Sequence, residues 1–526
     1  MTGRIQETEA VFIVPSRTAM EEISALLKAA GARALSRPKP QIVCDVYVDT
    51  ADRRVMQAGA ALRFRTENGK HTLTLKSLNP LSEEGMASRL ERSEPLSRVP
   101  DRFPAPLPRD VRDEALRRLL GERRLRVLFR IGQHRRVWRV ATSSGAVLLV
   151  SADEVCWRLP RRRSLTGFRL ELELVEGSVP ALAAVVKTIR KRSRFSLAPR
   201  SKFEEGLHAA GIVLPTFRED PLWSLRSRDS FDRAARRLLG RLMARLLWLA
   251  PGAQLGLDPE RLHAFRVAVR RLRSLLRWFR GALPEWLEST LETDLRWINE
   301  VTGRSRDLDL FLLRLAEEDS GGRSSPLWRR RMQARFEAEA ERARREAAAA
   351  LASARFAHLL RRVQRWTHAE SWGRIVRTGP RRSFAREAAH RLREVAKKSA
   401  RKADRLRIGS APTRYHRVRK AFKHLRYGLE PLVPWGGRKA ARTLQVLERF
   451  QDLLGRHQDA IVAQTLLEEA IKAMPRPRGK AATEIERFRR SLEREARQAR
   501  AAFRKAWEKD GARLRRKILT ETMLRG

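Results

Sequence analysis

Two sets of side chains in the second half of the chain carry positive charge at helical spacing. His263, Arg266, Arg270, Arg273 and Arg277 follow one another at steps of 3, 4, 3 and 4, and His416, Arg419, Lys423, Arg426 and Glu430 repeat those steps. Such steps put residues on one helix face, with a rung about every 5 Å along the axis. An apolar set runs one residue earlier in each copy: Leu262, Phe265, Val269, Leu272 and Leu276, then Tyr415, Val418, Phe422, Leu425 and Leu429. Each helix therefore packs one stripe and holds a basic stripe about 100° round from it. About 40 residues beyond each histidine comes a Gly-Arg-x-x-Asp, first Gly303-Arg304-Ser305-Arg306-Asp307 and then Gly455-Arg456-His457-Gln458-Asp459. Two features that recur together, the ladders 153 residues apart and the Gly-Arg-x-x-Asp motifs 152 apart, mark an internal duplication. A lone arginine stripe beside an apolar one is more often a solvated face, but a solvated face has no reason to recur with its histidine in register. Two such copies can face each other and line one basic cavity. A regular series of cations suits a flexible chain of repeated anions.

The histidines at the ladder tips make no metal site without further ligands. A neutral imidazole bonded to a neighbour and one donating to phosphate both fit them. Asp307 and Asp459 are placed to orient arginines. This half shows no nucleophile–base set, no phosphate-cradling glycine loop and no Cys/His cluster, so no catalytic residue is assigned.

A second constellation lies near the N-terminus, on segments with charge at period two. Glu7 and Glu9 share a strand face, as do Arg63 and Arg65, Lys76 with Thr72 and Thr74, Arg89 with Glu91, and Glu171 with Glu173. The opposite face is apolar where the pattern is clearest: Leu62 and Phe64, Leu73 and Leu75, and Leu170, Leu172 and Leu174. Acids pair on some strands and bases on others. A barrel lumen that holds a metal-bound oligophosphate needs that division, since bases clamp phosphate oxygens and carboxylates hold Mg²⁺ or Mn²⁺.

The elements that must position these groups divide at one composition shift. Up to about residue 210 short alternating segments recur, at Gln41–Val48, Ala61–Thr66, His71–Lys76, Val137–Val150 and Phe168–Val175, with helical patterns at Thr18–Ala30, Asp110–Gly121 and near Val179–Lys191. Ile212–Trp223, with Pro215 and Pro221, reads as a linker. Beyond it the chain is Ala, Leu, Arg and Glu at helical spacing, with breaks expected at Pro251-Gly252, Gly321–Pro326, Thr378–Pro380 and Gly409–Pro412. Met332–Leu351, mostly Ala, Arg and Glu, reads as an exposed, ion-paired helix.

Composition bounds the class. The 526 residues suffice for two or three domains, and 112 Lys and Arg against 61 acids give a net charge of +51, concentrated in the helical half. Charge of this size predicts attraction to phosphates, nucleic acids or anionic membrane, while 42% apolar content with clear periodicity excludes a disordered basic tail. Two cysteines, Cys44 and Cys156, give no disulfide framework. With no apolar signal core and no run of 18 apolar residues, the expectation is a cytoplasmic protein without membrane insertion, in a reducing compartment.

The residues also carry two family resemblances. Glu7-Thr8-Glu9, Asp49-Thr50, Leu62-Arg63-Phe64-Arg65, Thr74-Leu75-Lys76, Glu171-Leu172-Glu173 and Ser201-Lys202, in that order, resemble the CYTH family over roughly residues 3–210. The resemblance implies an α+β triphosphate-tunnel fold, an antiparallel eight-stranded barrel that acts on nucleoside or inorganic triphosphates with a divalent metal. It implies Arg63, Arg65, Lys76, Arg135 and Lys202 on the phosphates, and Glu7, Glu9, Asp153, Glu171 and Glu173 on Mg²⁺ or Mn²⁺. The family opens with Glu-x-Glu-x-Lys, and Val11 stands where that lysine belongs.

After a linker at 211–224, residues 225–510 resemble the CHAD family. His263-Ala264-Phe265-Arg266, Arg270-Arg271-Leu272-Arg273, Arg306-Asp307-Leu308-Asp309, His416-Arg417-Val418-Arg419-Lys420, Lys423-His424-Leu425-Arg426-Tyr427 and Gln451–Gly455 carry the likeness. It implies two four-helix bundles related by internal duplication around a basic pore for inorganic polyphosphate, with no cofactor. Its binding residues would be His263, Arg266, Arg270, Arg273, Arg306, His416, Arg419, Lys420, Lys423 and Arg426. Three readings stay open: a polyphosphate binder whose barrel only holds phosphate, an active metal-dependent triphosphatase or polyphosphatase, and a nucleic-acid binder. Charge alone favours the last, and the ladders hold few aromatics for base stacking.

Overall fold

The computed structural model describes residues 4–78, 86–160, 162–217, 225, 229–281, 283, 285–317, 327–367, 383–407, 409–473 and 479–519. It forms two compact units, residues 1–217 with 248–262, and residues 218–247 with 263–526.

In the first unit ten strands are described: β1 Arg4–Val14, β2 Ala32–Ala34, β3 Lys39–Thr50, β4 Ala60–Glu67, β5 Lys70–Ser77, β6 Met86–Leu96, β7 Leu125–Thr142, β8 Val147–Arg158, β9 Leu165–Glu176 and β10 Ser196–Leu197. Eight of them pair antiparallel in the order β1-β6-β5-β4-β3-β7-β8-β9, and β9 returns to β1. These eight strands thus close into a barrel. β2 extends β7 and β10 extends β1.

The strands' apolar faces point outward. Ala10, Phe12, Leu148, Val150, Leu170 and Leu172 form one buried cluster with Ile23, Leu27, Leu182 and Val186 of the covering helices Ile23–Ala29 and Val179–Arg192. Leu62, Phe64, Leu73 and Leu75 form another with Leu116 and Leu120 of the helix Glu114–Leu120. Because strand side chains alternate, burying these faces under helices commits Glu7, Glu9, Arg63, Arg65, Glu171 and Glu173 to the lumen. The Val137–Val150 run is not one strand. A turn at Thr142–Ala146 splits it, with Gly145 at φ 82° and Thr142 Oγ1 accepting from the Ala146 amide at 3.0 Å. The alternating pattern runs straight through a hairpin tip and hides it.

Described helices of the rest of the chain are Phe231–Leu255, Pro259–Trp278, Glu285–Val301, Gly303–Glu317, Leu327–Ala352 and Ala354–Thr367, then Phe384–Asp404, Pro412–Leu429, Val433–Lys472 and Lys480–Leu519. Starts at Phe231 and Phe384, Pro259 and Pro412, and Leu327 and Lys480 are separated by the same number of residues each time. The duplication is therefore one of structure. Ser230 bridges Ser383, and Phe231 stacks on Phe384 at 6.4 Å. Equivalent residues meeting each other is the mark of a twofold relation between the copies.

Two expected features differ. Pro251 lies inside the helix Phe231–Leu255, which continues through Pro251-Gly252 to its last turn. Met332–Leu351 is not simply exposed. Met332, Phe336, Ala340 and Ala343 pack on Leu308, Phe311 and Phe488, because its alanines form a smooth apolar stripe that composition alone conceals. The Gly409–Pro412 break joins two helices as expected, while Gly321–Pro326 and Thr378–Pro380 lie outside the described residues. No described helix is long and apolar enough to cross a membrane.

One buried group is out of place energetically. His457 is 1% exposed, its ring lies tilted against Tyr415 at 4.7 Å, and neither ring nitrogen has a hydrogen-bond partner among the described residues. Burial, with Arg500 nearby, pushes its pKa down to about 4. Since an unpaired buried polar group costs about 1–3 kcal/mol, His457→Leu should raise the melting temperature by about 2 °C or more. A fall on thermal unfolding would mean that the imidazole is satisfied in solution.

Candidate functional site

The barrel encloses a cavity of about 140 Å³ whose lining includes Glu7, Glu9, Arg63, Arg65, Lys76, Arg135, Glu171, Glu173 and Lys202. Asp153 lies fully buried behind Arg135 and Lys202 and bonds both. The lumen thus gathers the ten side chains that the barrel sequence singled out. Their arrangement differs from the expected one, for acids and bases pair instead of forming separate clamps. Lys76 Nζ lies 2.6 Å from Glu7 and 3.4 Å from Glu9, and Arg89 reaches Glu9 at 2.8 Å. Arg135 bonds Asp153 at 2.8 and 2.9 Å and Glu171 at 2.9 Å, while Lys202 reaches Glu171 at 3.1 Å.

The pairs set the protonation states. Burial alone would raise the Glu171 carboxyl, but Lys202 and Arg135 hold it far below the usual range. Burial opposes the Lys76 ammonium, and Glu9 with Glu7 raises it instead. Glu173 is pushed up to about 7 by burial and by Glu7, with Lys76 opposing.

Asp45 was not picked out from the sequence, yet it is a main counterion of the tunnel. It is 2% exposed and accepts from Arg65 at 2.8 and 2.9 Å, from Arg63 at 3.5 Å and from Gln133 at 3.2 Å. Burial would raise its pKa, but Arg63 and Arg65 outweigh burial and pull it down to about 2. The available signal was an aspartate on a strand, in register with Arg65. Val11 sits opposite Glu171 at 8% exposure, and the cations at that carboxylate come from Lys202 and Arg135. Among the described residues no three acidic, histidine or cysteine side chains converge on a point that could hold a metal ion. Four of the five expected ligands, Glu7, Glu9, Asp153 and Glu171, are bound to a lysine or arginine. In this arrangement the donor set does not fit a divalent ion.

The helical unit brings its two ladders face to face. Phe265, Val269, Leu272 and Leu276 are buried, as are Tyr415, Val418, Phe422, Leu425 and Leu429, which fixes the roll of both helices. Gly428 allows their close approach, since a β-carbon there would stand 1.9 Å from Trp278. Trp278 Nε1 donates to the His424 carbonyl at 3.0 Å, and Ser274 Oγ meets His424 Nδ1 at 2.8 Å.

Equivalent rungs then repel one another. Burial, then Arg419 and Arg270, lower Lys423 to about 7, with Asp459 opposing. Burial and Arg270 lower Arg266 to about 10, Asp307 opposing and Arg306 adding to the shift. Burial lowers Arg270, Tyr427 opposes, and Arg419 adds to the shift. The Nε atoms of Arg266, Arg270 and Arg419 are buried without hydrogen-bond partners among the described residues. Arg266 is held by the carbonyls of Thr302 at 2.8 Å and Gly303 at 3.2 Å, where one helix ends and the next begins. His416 Nδ1 donates to Gln458 Oε1, 2.7 Å away, and burial lowers its pKa. His263 and Arg306 are half-buried, and Lys420 is exposed.

The last rungs differ from the expected floor. Arg273 is bound to Glu292 at 2.7 Å, and Arg426 to Glu430 at 2.8 Å and Glu448 at 3.3 Å. The ladders therefore offer cations without carboxylate partners among the described residues only at Arg266, Arg270, Arg419 and Lys423. Clustered, desolvated like charges of this kind destabilise one another, and an ion of opposite sign beside them would relieve that repulsion.

The CYTH domain profile matches residues 6–206, and the CHAD domain profile matches residues 237–468. The solved CHAD domain from the plant Ricinus communis is 28% identical, covers 58% of this chain and 97% of its own, and superposes with a TM-score of 0.44. PptA from Streptomyces chartreusis is 19% identical over 53% of this chain and 100% of its own, with a TM-score of 0.42. A Hippeastrum protein described as having a dominant triphosphatase activity is 21% identical over 40% of this chain and 98% of its own, with a TM-score of 0.27. No curated protein matches the chain.

Proposed function

The chain belongs to the CYTH family in its barrel and to the CHAD family in its helical half, and from that premise we propose that it binds inorganic polyphosphate in the helical half. The facing rungs Arg266, Arg270, Arg419 and Lys423 carry this reading. A linear polyphosphate reads the same from both ends, as does a site built from two duplicated helices. A nucleic-acid strand has polarity and needs stacking platforms, which a ladder of cations does not supply. The barrel is the second anion site, for a triphosphate or nucleoside triphosphate. Its bases already hold internal carboxylates, so an entering phosphate must take them over, and Mg²⁺ or Mn²⁺ is expected to bind only with it. Phosphate release from tripolyphosphate with either metal tests whether the barrel turns over its ligand. Binding without release makes it a holding site.

Calorimetry tests the helical site. Affinity should grow with polyphosphate length and fall with salt, and short polyphosphate should displace duplex DNA at matched charge. Preferential retention of DNA would refute the reading.

The site should also take up protons. Lys423 loses its charge in the free protein above about pH 7, and a bound phosphate restores it. Affinity for a long chain, whose internal phosphates stay ionised, should therefore drop by about tenfold from roughly pH 6.5 to pH 8. Lys423→Arg should bind with little pH dependence. The same slope in that variant would place the titration elsewhere.

A further inference from the structure

The lower rungs pose a question that the upper ones do not. Arg273 and Arg426 are equivalent in the duplication and lie on the same faces as Arg270 and Lys423, yet each is tied to a carboxylate. Glu292 Oε1 takes Arg273 at 2.7 Å, Arg277 at 3.3 Å and Arg296 at 3.8 Å, while its Oε2 is buried without a partner among the described residues. Among those residues arginines hold this side chain. Glu430, which stands where the first ladder has Arg277, takes Arg426 at 2.8 Å and Arg271 of the first ladder helix at 3.3 Å. The two copies reach the same result with different residues, one from a neighbouring helix and one from the ladder itself.

We propose that Glu292 and Glu430 are end-stops of the polyanion path, occupying the lower rungs and confining bound phosphates to the upper ones. Resting on the polyphosphate reading of this site, the inference makes the two carboxylates determinants of ligand length. Each neutralises an arginine that would otherwise extend the ladder by about 5 Å per copy. Each also repels a phosphate chain that runs past Arg270 or Lys423. A chain longer than the upper rungs must then turn out into solvent, and its extra phosphates add little affinity.

The test is affinity against chain length, by calorimetry at fixed ionic strength, for the full chain and for Glu292→Gln with Glu430→Gln and Glu448→Gln, since Glu448 also holds Arg426 at 3.3 Å. Glutamine keeps the shape and one acceptor. The variant should bind tripolyphosphate within about twofold of the unaltered protein, read as the binding component that Arg270→Glu with Lys423→Glu abolishes. That component leaves out the barrel's own share, and it also shows that the upper site is folded. It should bind long polyphosphate about tenfold more tightly or better, with affinity still growing at lengths where the unaltered protein has levelled off. Glu114→Gln with Glu341→Gln and Glu508→Gln changes net charge equally at exposed positions and should leave the length dependence as it was. An unchanged levelling-off length, or an equal gain for short and long chains, would overturn the end-stop role. Absence of any polyphosphate binding by the unaltered protein would sink the reading of the site itself, and the end-stops with it.

Discussion

Replacing Arg270 and Lys423 together by glutamate should lower affinity for long polyphosphate by about a hundredfold or more. Hydrogen bonds to charged groups contribute about 1.5–3 kcal/mol each, and a tenfold change is about 1.4 kcal/mol. Two lost contacts alone give that factor, and the reversed charges add repulsion. The variant should fold at least as well as the unaltered protein. Lys423 is repelled by Arg419 and Arg270, so glutamates at these rungs turn mutual repulsion into attraction to Arg266 and Arg419. Loss of binding could not then be ascribed to unfolding. Arg342→Glu with Arg345→Glu, at exposed positions of the helix Leu327–Ala352, makes the same change in net charge. Its effect should be severalfold at most. Equal losses in the two variants would reduce the ladders to general attraction by a protein of charge +51.

The ladders were legible because two periodicities reinforced each other. The apolar stripe fixes which face packs, the basic stripe follows at a constant angle, and recurrence after a fixed offset removes chance. The barrel was legible for a similar reason: alternation put Arg63 and Arg65 on one face and Leu62 and Phe64 on the other. What could not be read was partnership. Nothing in the spacing of Arg273 announces Glu292 on another helix, nor does the strand of Arg65 announce Asp45. Such pairings depend on strand register and helix packing, which arise from contacts far apart in sequence. The exposed reading of Met332–Leu351 failed for a related reason. Alanine is neutral in composition, and only its neighbours decide whether it is packed.

The second large effect is expected at Asp45, whose role the fold alone discloses. Asp45→Asn keeps the shape but removes the charge that Arg63 and Arg65 share. Breaking a buried ion pair by removing one partner costs about 3–5 kcal/mol, so the melting temperature of the barrel should fall by roughly 10 °C. The carboxyl of Asp45 is depressed from 3.8 to about 2 in the folded state. Its contribution is therefore complete above about pH 4 and is lost as pH falls through about 2. The deficit of the variant should shrink over that same window. Tripolyphosphate should narrow it too, at neutral pH, because an anion in the tunnel supplies the missing counter-charge. It should raise the melting temperature of Asp45→Asn by more degrees than that of the unaltered protein. If Asp45→Asn melts with the unaltered protein, or if both gain equally from tripolyphosphate, then Arg63 and Arg65 are balanced by other groups and the lumen does not exchange Asp45 for phosphate.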